Sequence, residues 1–148
     1  MKILRLSLPS IALALTFCVS VIAAPTTDFA AALKTAAAEN KPILLEFTGS
    51  DWCPPCMMMK KEILSQDAFK SFADDKLVFV ELDFPRAKEQ SPELVKQNDE
   101  LQTKFNVEGY PTFILLDSGG KELGRTVGFM SGGPSAFLDW IKSTMGKS

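Results

Sequence analysis

The chain has 148 residues, with 16 basic and 18 acidic side chains, three cysteines and no histidine. Without histidine a Ser-His-Asp triad, a Cys-His nucleophile pair and the usual imidazole zinc sites are impossible, and a mildly acidic balance with no basic stripe argues against a nucleic-acid partner. Redox chemistry at sulfur is the reactive chemistry that survives.

Lys2 and Arg5 precede an almost wholly apolar stretch from Ile11 to Ala24, and Val21-Ile22-Ala23 offers the small or short residues a signal peptidase needs. The uninterrupted run of about 14 residues is shorter than the roughly 20 of a spanning helix. Residues 1–23 are therefore read as a cleaved secretory signal that places the protein in the periplasm or outside the cell, with an uncleaved membrane anchor as the alternative. Cys18 falls inside this segment, and Leu15-Thr16-Phe17 ahead of it lacks the small residue of a lipoprotein signal. The processed chain, 24–148, keeps 14 basic and 18 acidic residues, a formal charge of −4, and two cysteines. Its length fits a single domain that buries its own core.

Thr26-Thr27-Asp28 offers caps for an Ala-rich helix from Phe29 to Glu39, which Asn40-Lys41-Pro42 ends. Ile43 to Phe47 reads as a short buried strand and Thr48 to Asp51 as a turn. Good helix formers then run from Cys56 to Leu64, so Trp52-Cys53-Pro54-Pro55-Cys56 opens a helix. A short helix is expected over Asp67 to Phe72, a strand over Leu77 to Asp83, a polar connection to Ser91, and a helix from Pro92 to about Phe105. Thr112 to Asp117, Ser118-Gly119-Gly120-Lys121 and Glu122 to Val127 form a hairpin, and Pro134 starts a last helix with Phe137, Leu138 and Ile141 on its apolar face. This order predicts an α/β fold with one mixed sheet and helices on both faces.

Closing a loop as short as Cys53 to Cys56 contributes only about 2 kcal/mol, against nearly 5 for a loop of about 100 residues. Two thiols so close suit a switch better than a brace. Met57 after Cys56 rules out a haem-attachment motif, and two cysteines cannot form a four-thiolate zinc site. Met57-Met58-Met59 could favour Cu(I), but consecutive residues point to different sides of a helix, so packing and groove lining explain them better. Lys60 and Lys61 read as a solvated face.

Trp-Cys-x-x-Cys between a strand and a helix, Val107-Glu108-Gly109-Tyr110-Pro111-Thr112 before the hairpin, and Gly128 beyond it resemble the thioredoxin superfamily over nearly all of the processed chain. Within it the chain looks like secreted bacterial thioredoxin-like proteins with a longer connection after the second strand. The resemblance implies a thioredoxin fold with a central mixed sheet, a redox disulfide between Cys53 and Cys56, and no dissociable cofactor or metal. Cys53, at the helix N-terminus, is then the nucleophile, because helix-end N–H groups favour its thiolate, and Cys56 the resolving thiol. Pro54 and Pro55 lack N–H donors, which implies only a moderately lowered Cys53 pKa and a reductant rather than a strong oxidant.

Glu46 aligns with the buried acid that thioredoxins use as proton acceptor, while its place near a strand end also allows a solvent-facing carboxylate. Pro111 matches the family's cis-proline, beside which Tyr110 would present backbone to a substrate peptide. The Tyr110 ring either shapes substrate choice or packs, and Trp52 either forms an apolar docking rim or sits half-buried at the turn. The expected function is protein thiol-disulfide exchange, in the reductive direction, by a monomer recycled through a membrane thiol relay. The alternatives are a Cu(I) chaperone using Cys53, Cys56 and a methionine, and a thiol reductant dedicated to cytochrome c maturation.

Overall fold

A computed structural model describes residues 24–146; the expected signal segment, with Cys18, lies outside the described residues. Helix α1 spans Phe29–Glu39 and starts where the Asp28 carboxylate accepts from Ala31 N at 2.9 Å. It stops at Asn40, whose left-handed backbone (φ 51°) turns the chain into strand β1, Ile43–Thr48. Helix α2, Pro54–Met59, continues into a π-helical segment over Lys60–Leu64, and α3 covers Asp67–Lys76. Strand β2 (Val78–Asp83), helix α4 (Pro92–Lys104), the hairpin β3 (Thr112–Leu116) and β4 (Glu122–Val127), and helix α5 (Gly133–Met145) follow.

The four strands lie in the order β2-β1-β3-β4, with β1 and β2 parallel and the other pairs antiparallel. The parallel pair is reached through α2 and α3, and the crossover leaves helices on both faces, as the element order predicts. On one face Ile43, Leu45 and Phe47 pack with α1 and α4 through Phe29, Ala36, Leu101 and Phe105. On the other, Leu44 and Phe113 pack with Met59, Ile63, Phe69 and Phe137. Strand β1 is thus buried on both sides along its whole length, which is why it reads as a continuous apolar run with no alternation. Because successive side chains of a strand point to opposite faces, Glu46 shares the face of Leu44, under α2.

Two elements differ from expectation. Helix α3 runs four residues past Phe72, because Phe69 and Ala73 keep one buried stripe while Asp74, Asp75 and Lys76 occupy its wet side. The helix after Cys56 widens at Lys60, where Ser65 N donates to Lys60 O at 2.8 Å, an i→i+5 bond of a kind often found near functional sites.

Candidate functional site

The turn that carries the cysteines is tight. Trp52 N and Cys53 N both donate to Gly49 O, at 3.3 and 3.0 Å, and the Trp52 indole lies so close over Gly49 that a Cβ there would stand 2.5 Å from its Cε2. Cys53 takes the N-cap position of α2, with Pro54 and Pro55 in the first turn. Pro suits that turn because its missing N–H would have no intrahelical acceptor. Met57 N is engaged by Cys53 O at 3.1 Å, so the Cys56 amide is the first donor of the turn left to face the Cys53 sulfur.

Cys53 and Cys56 are joined by a disulfide, and both are buried, Cys56 more deeply. Met59 enters the core while Met57 and Met58 are exposed, so the three methionines diverge as helical geometry requires.

Glu46 lines a pocket with the inner cysteine, Cys56. It is 1% exposed, and its Oε2 has no hydrogen-bond partner among the described residues. Its register partners are Glu81 on β2 and Phe113 on β3. Burial, reinforced by the Glu81 carboxylate, pushes the Glu46 carboxyl up to about 8, while Lys60 works in the opposite direction. Of the two placements open to Glu46 from the sequence, the structure gives the buried one. Glu46, Thr48, Cys56, Lys60 and Glu81 line one open pocket of about 370 Å³, so acid and inner cysteine face a common space.

The Tyr110–Pro111 peptide is cis, and Pro111 O accepts from Gly128 N at 2.8 Å at the foot of the hairpin. Tyr110 meets Trp52 edge to face at 5.7 Å between ring centroids and Phe84 at 5.3 Å. Burial pushes the Tyr110 phenol up. Trp52 is half-buried, its Nε1 donating to Phe84 O at 2.7 Å and its ring covered by the Arg86 guanidinium 4.0 Å from the centroid. Trp52, which precedes Cys53 in the chain, and Tyr110, which precedes Pro111, are therefore in contact through their rings.

Sequence reasoning missed what holds this rim. The Asp51 carboxylate accepts from Arg86 N at 3.0 Å and Ala87 N at 2.7 Å, and Asp83 accepts from Ser50 N at 2.8 Å and Ser50 Oγ at 2.6 Å. Asn98, buried in α4, donates to Asp83 O at 3.0 Å. The longer connection after β2 is thereby tied to the turn before Cys53. A buried-face Asn in an otherwise apolar helical stripe was the only local signal. Lys60 is on a solvated face, as read, and also pairs with Glu81 at 3.2 Å.

A family model described as a thioredoxin-like domain matches residues 29–144. A disulfide bond reductase, DsbH, of Chlamydia pneumoniae is 41% identical over 118 residues, covering 80% of this chain and 70% of that protein. The thiol:disulfide interchange protein DsbD of Actinobacillus pleuropneumoniae serotype 5b (strain L20) is 31% identical over 110 residues, covering 73% of this chain but only 17% of its own length. A solved structure of a DsbH oxidoreductase superposes with a TM-score of 0.77 at 34% identity, covering 99% of this chain and 94% of that one.

Proposed function

The chain belongs to the thioredoxin-like family and is a protein thiol-disulfide oxidoreductase; we propose that it acts as a reductant outside the cytoplasm, with Cys53 as nucleophile and Cys56 as resolving thiol. The observation that carries the reading is the asymmetry of the couple. Cys53 caps the helix that its thiolate would draw on, while Cys56 sits one turn inside, facing the pocket it shares with Glu46.

In the reducing half-cycle the Cys53 thiolate attacks one sulfur of a substrate disulfide, the S–S bond breaks, and the first substrate thiolate leaves. Glu46 as carboxylate takes the Cys56 S–H proton, and the Cys56 thiolate attacks Cys53 Sγ. The Cys53–Cys56 disulfide forms and the second substrate thiolate is released, so two electrons pass from the enzyme dithiol to the substrate. Recycling runs the other way. A dithiol donor attacks Cys53, and protonated Glu46 returns its proton to the departing Cys56 thiolate.

A carboxyl held near 8 suits both halves, because it is mostly protonated at neutral pH when the disulfide is present and gives its proton up within reach of physiological pH. Pro111 and Tyr110 are assigned the substrate-facing backbone and Trp52 the apolar rim. The similarity to a named disulfide bond reductase supports the reductive direction, and the similarity to an interchange protein supports a thiol-relay donor, in a membrane, for recycling.

The test is mixed-disulfide trapping with a protein disulfide substrate. Cys56→Ser should accumulate the covalent adduct and Cys53→Ser should not, while the reduced parent protein turns the substrate over. Equal trapping by both variants would reverse the nucleophile assignment, and a reduction potential well above that of the compartment would reverse the direction.

A further inference from the structure

Glu46 shares its face of the sheet with two more carboxylates, Glu81 beside it in register and Asp83 two residues on. From the helix above come Cys56, Lys60 and Lys61, which line the same pocket; β3 contributes only Phe113 opposite Glu46. Asp83 is committed to Ser50, through its backbone N–H and its hydroxyl. Glu81 is committed to Lys60, with Lys60 Nζ 3.2 Å from Oε2. Side-chain exposure rises from Glu81, 20%, to Lys60, 58%, above a Glu46 that is 1% exposed overall. The three residues form a graded line from the sheet interior to water, beside the inner sulfur.

We propose that Lys60 and Glu81 are a positioning pair that sets when Glu46 gains and loses the proton it exchanges with Cys56, Lys60 favouring the carboxylate and Glu81 opposing it. The proposal rests on the reading of Glu46 as that proton acceptor. Carboxylates side by side on adjacent parallel strands repel when both are ionised, and burial weakens screening between them. A nearby ammonium on a long, flexible stem relieves that repulsion and is free to follow the charge. When Cys56 gives up its proton, no new charge enters the pocket overall: the carboxylate is neutralised as the thiolate appears, and the thiolate's charge leaves with the substrate sulfur. Lys60 faces an excess carboxylate only between recycling and resolution, when Glu46 must wait ionised. The directions in which burial, Glu81 and Lys60 move the Glu46 carboxyl agree with this division of roles.

The experiment follows the Glu46 side-chain carboxyl by carbon NMR across pH in the oxidised full-length processed protein, where no cysteine titrates. Glu81→Gln should move its midpoint down and Lys60→Met should move it up, each by about half a pH unit or more. The pH profile of substrate-disulfide reduction by the reduced protein should move in the same two directions. Unmoved midpoints, or two shifts of the same sign, would overturn the proposal, as would shifted NMR midpoints with an unmoved rate profile. Glu46→Gln separates the two layers. If it leaves the rate profile in place, the proton-acceptor reading itself falls; if it abolishes the profile while the pair variants leave it unmoved, only the role of Lys60 and Glu81 falls.

Discussion

Two acids bracket the turn that leads to the cysteines, and they have been given opposite surroundings. Glu46 on β1 is buried under α2 with no partner for Oε2 among the described residues, and its carboxyl is pushed up to about 8. Asp51, five residues on, lies at the rim, where amides of Arg86 and Ala87 hold its carboxylate below the ordinary range. Denied donors, a carboxyl keeps its proton into neutral pH and becomes a proton reservoir. Supplied with them, it keeps its negative charge and becomes a fastener. The floor of the site is therefore built for proton exchange, and the rim for fixed geometry.

The sharpest way to break this contrast is to make Glu46 permanently neutral. Glu46 keeps its proton in the folded protein up to about pH 8, whereas a solvated glutamate loses it near 4.5. The folded state thus binds the extra proton, so the stability linked to it is fully present below about 4.5 and is lost as pH rises through about 8. The whole window corresponds to roughly 5 kcal/mol, of which roughly 3 is already lost at pH 7. Glu46→Gln should match the parent near pH 4 and exceed its stability by roughly 3 kcal/mol at pH 7, at the expense of turnover. Urea unfolding of the oxidised protein at the two pH values reads this out. A parallel pH dependence in both proteins would mean that Glu46 is not the proton reservoir of the floor.

The contrast also separates what the sequence could and could not reveal. The cysteine pair, the hairpin and the order of elements were legible because each has a local cause: two prolines opening a helix, a Gly-Gly turn at the end of an apolar strand, and an apolar period in α5. Burial of Glu46 was not legible, since a strand packed on both faces shows no alternation from which to tell an inward acid from one at a strand end. The fastening of Asp51 to Arg86 and Ala87 spans 35 and 36 residues and uses backbone N–H donors, which every residue but proline has, so no side-chain pattern announces it. The Lys60–Glu81 pair was hidden for a related reason: nothing local to a solvated lysine on a helix tells that the strand beneath it offers an acid.

Two smaller perturbations address the rim alone. Gly49→Ala would bring a Cβ to within 2.5 to 2.8 Å of the Trp52 indole, so the ring must tilt and give up its bond to Phe84 O and its stacking with Arg86. A loss of about 1 to 3 kcal/mol is expected from such overpacking, with the Trp52 indole N–H resonance displaced. The pH dependence of stability should survive, because the floor is untouched; its disappearance would show that rim and floor are not separable.

Asp51→Asn is the mildest change. Asparagine keeps one acceptor oxygen but not the second, nor the charge that strengthens bonds from the Arg86 and Ala87 amides. Those two amides should exchange with solvent measurably faster than in the parent, while the global unfolding midpoint and the pH profile of turnover stay in place. The reason is that the segment they anchor is exposed, and its local opening exposes little apolar surface compared with unfolding the sheet. Faster exchange confined to this connection would make Asp51 a local fastener. Exchange that also rises along β1 would instead make the rim part of what holds the floor shut, and the proton on Glu46 would then depend on a carboxylate five residues away.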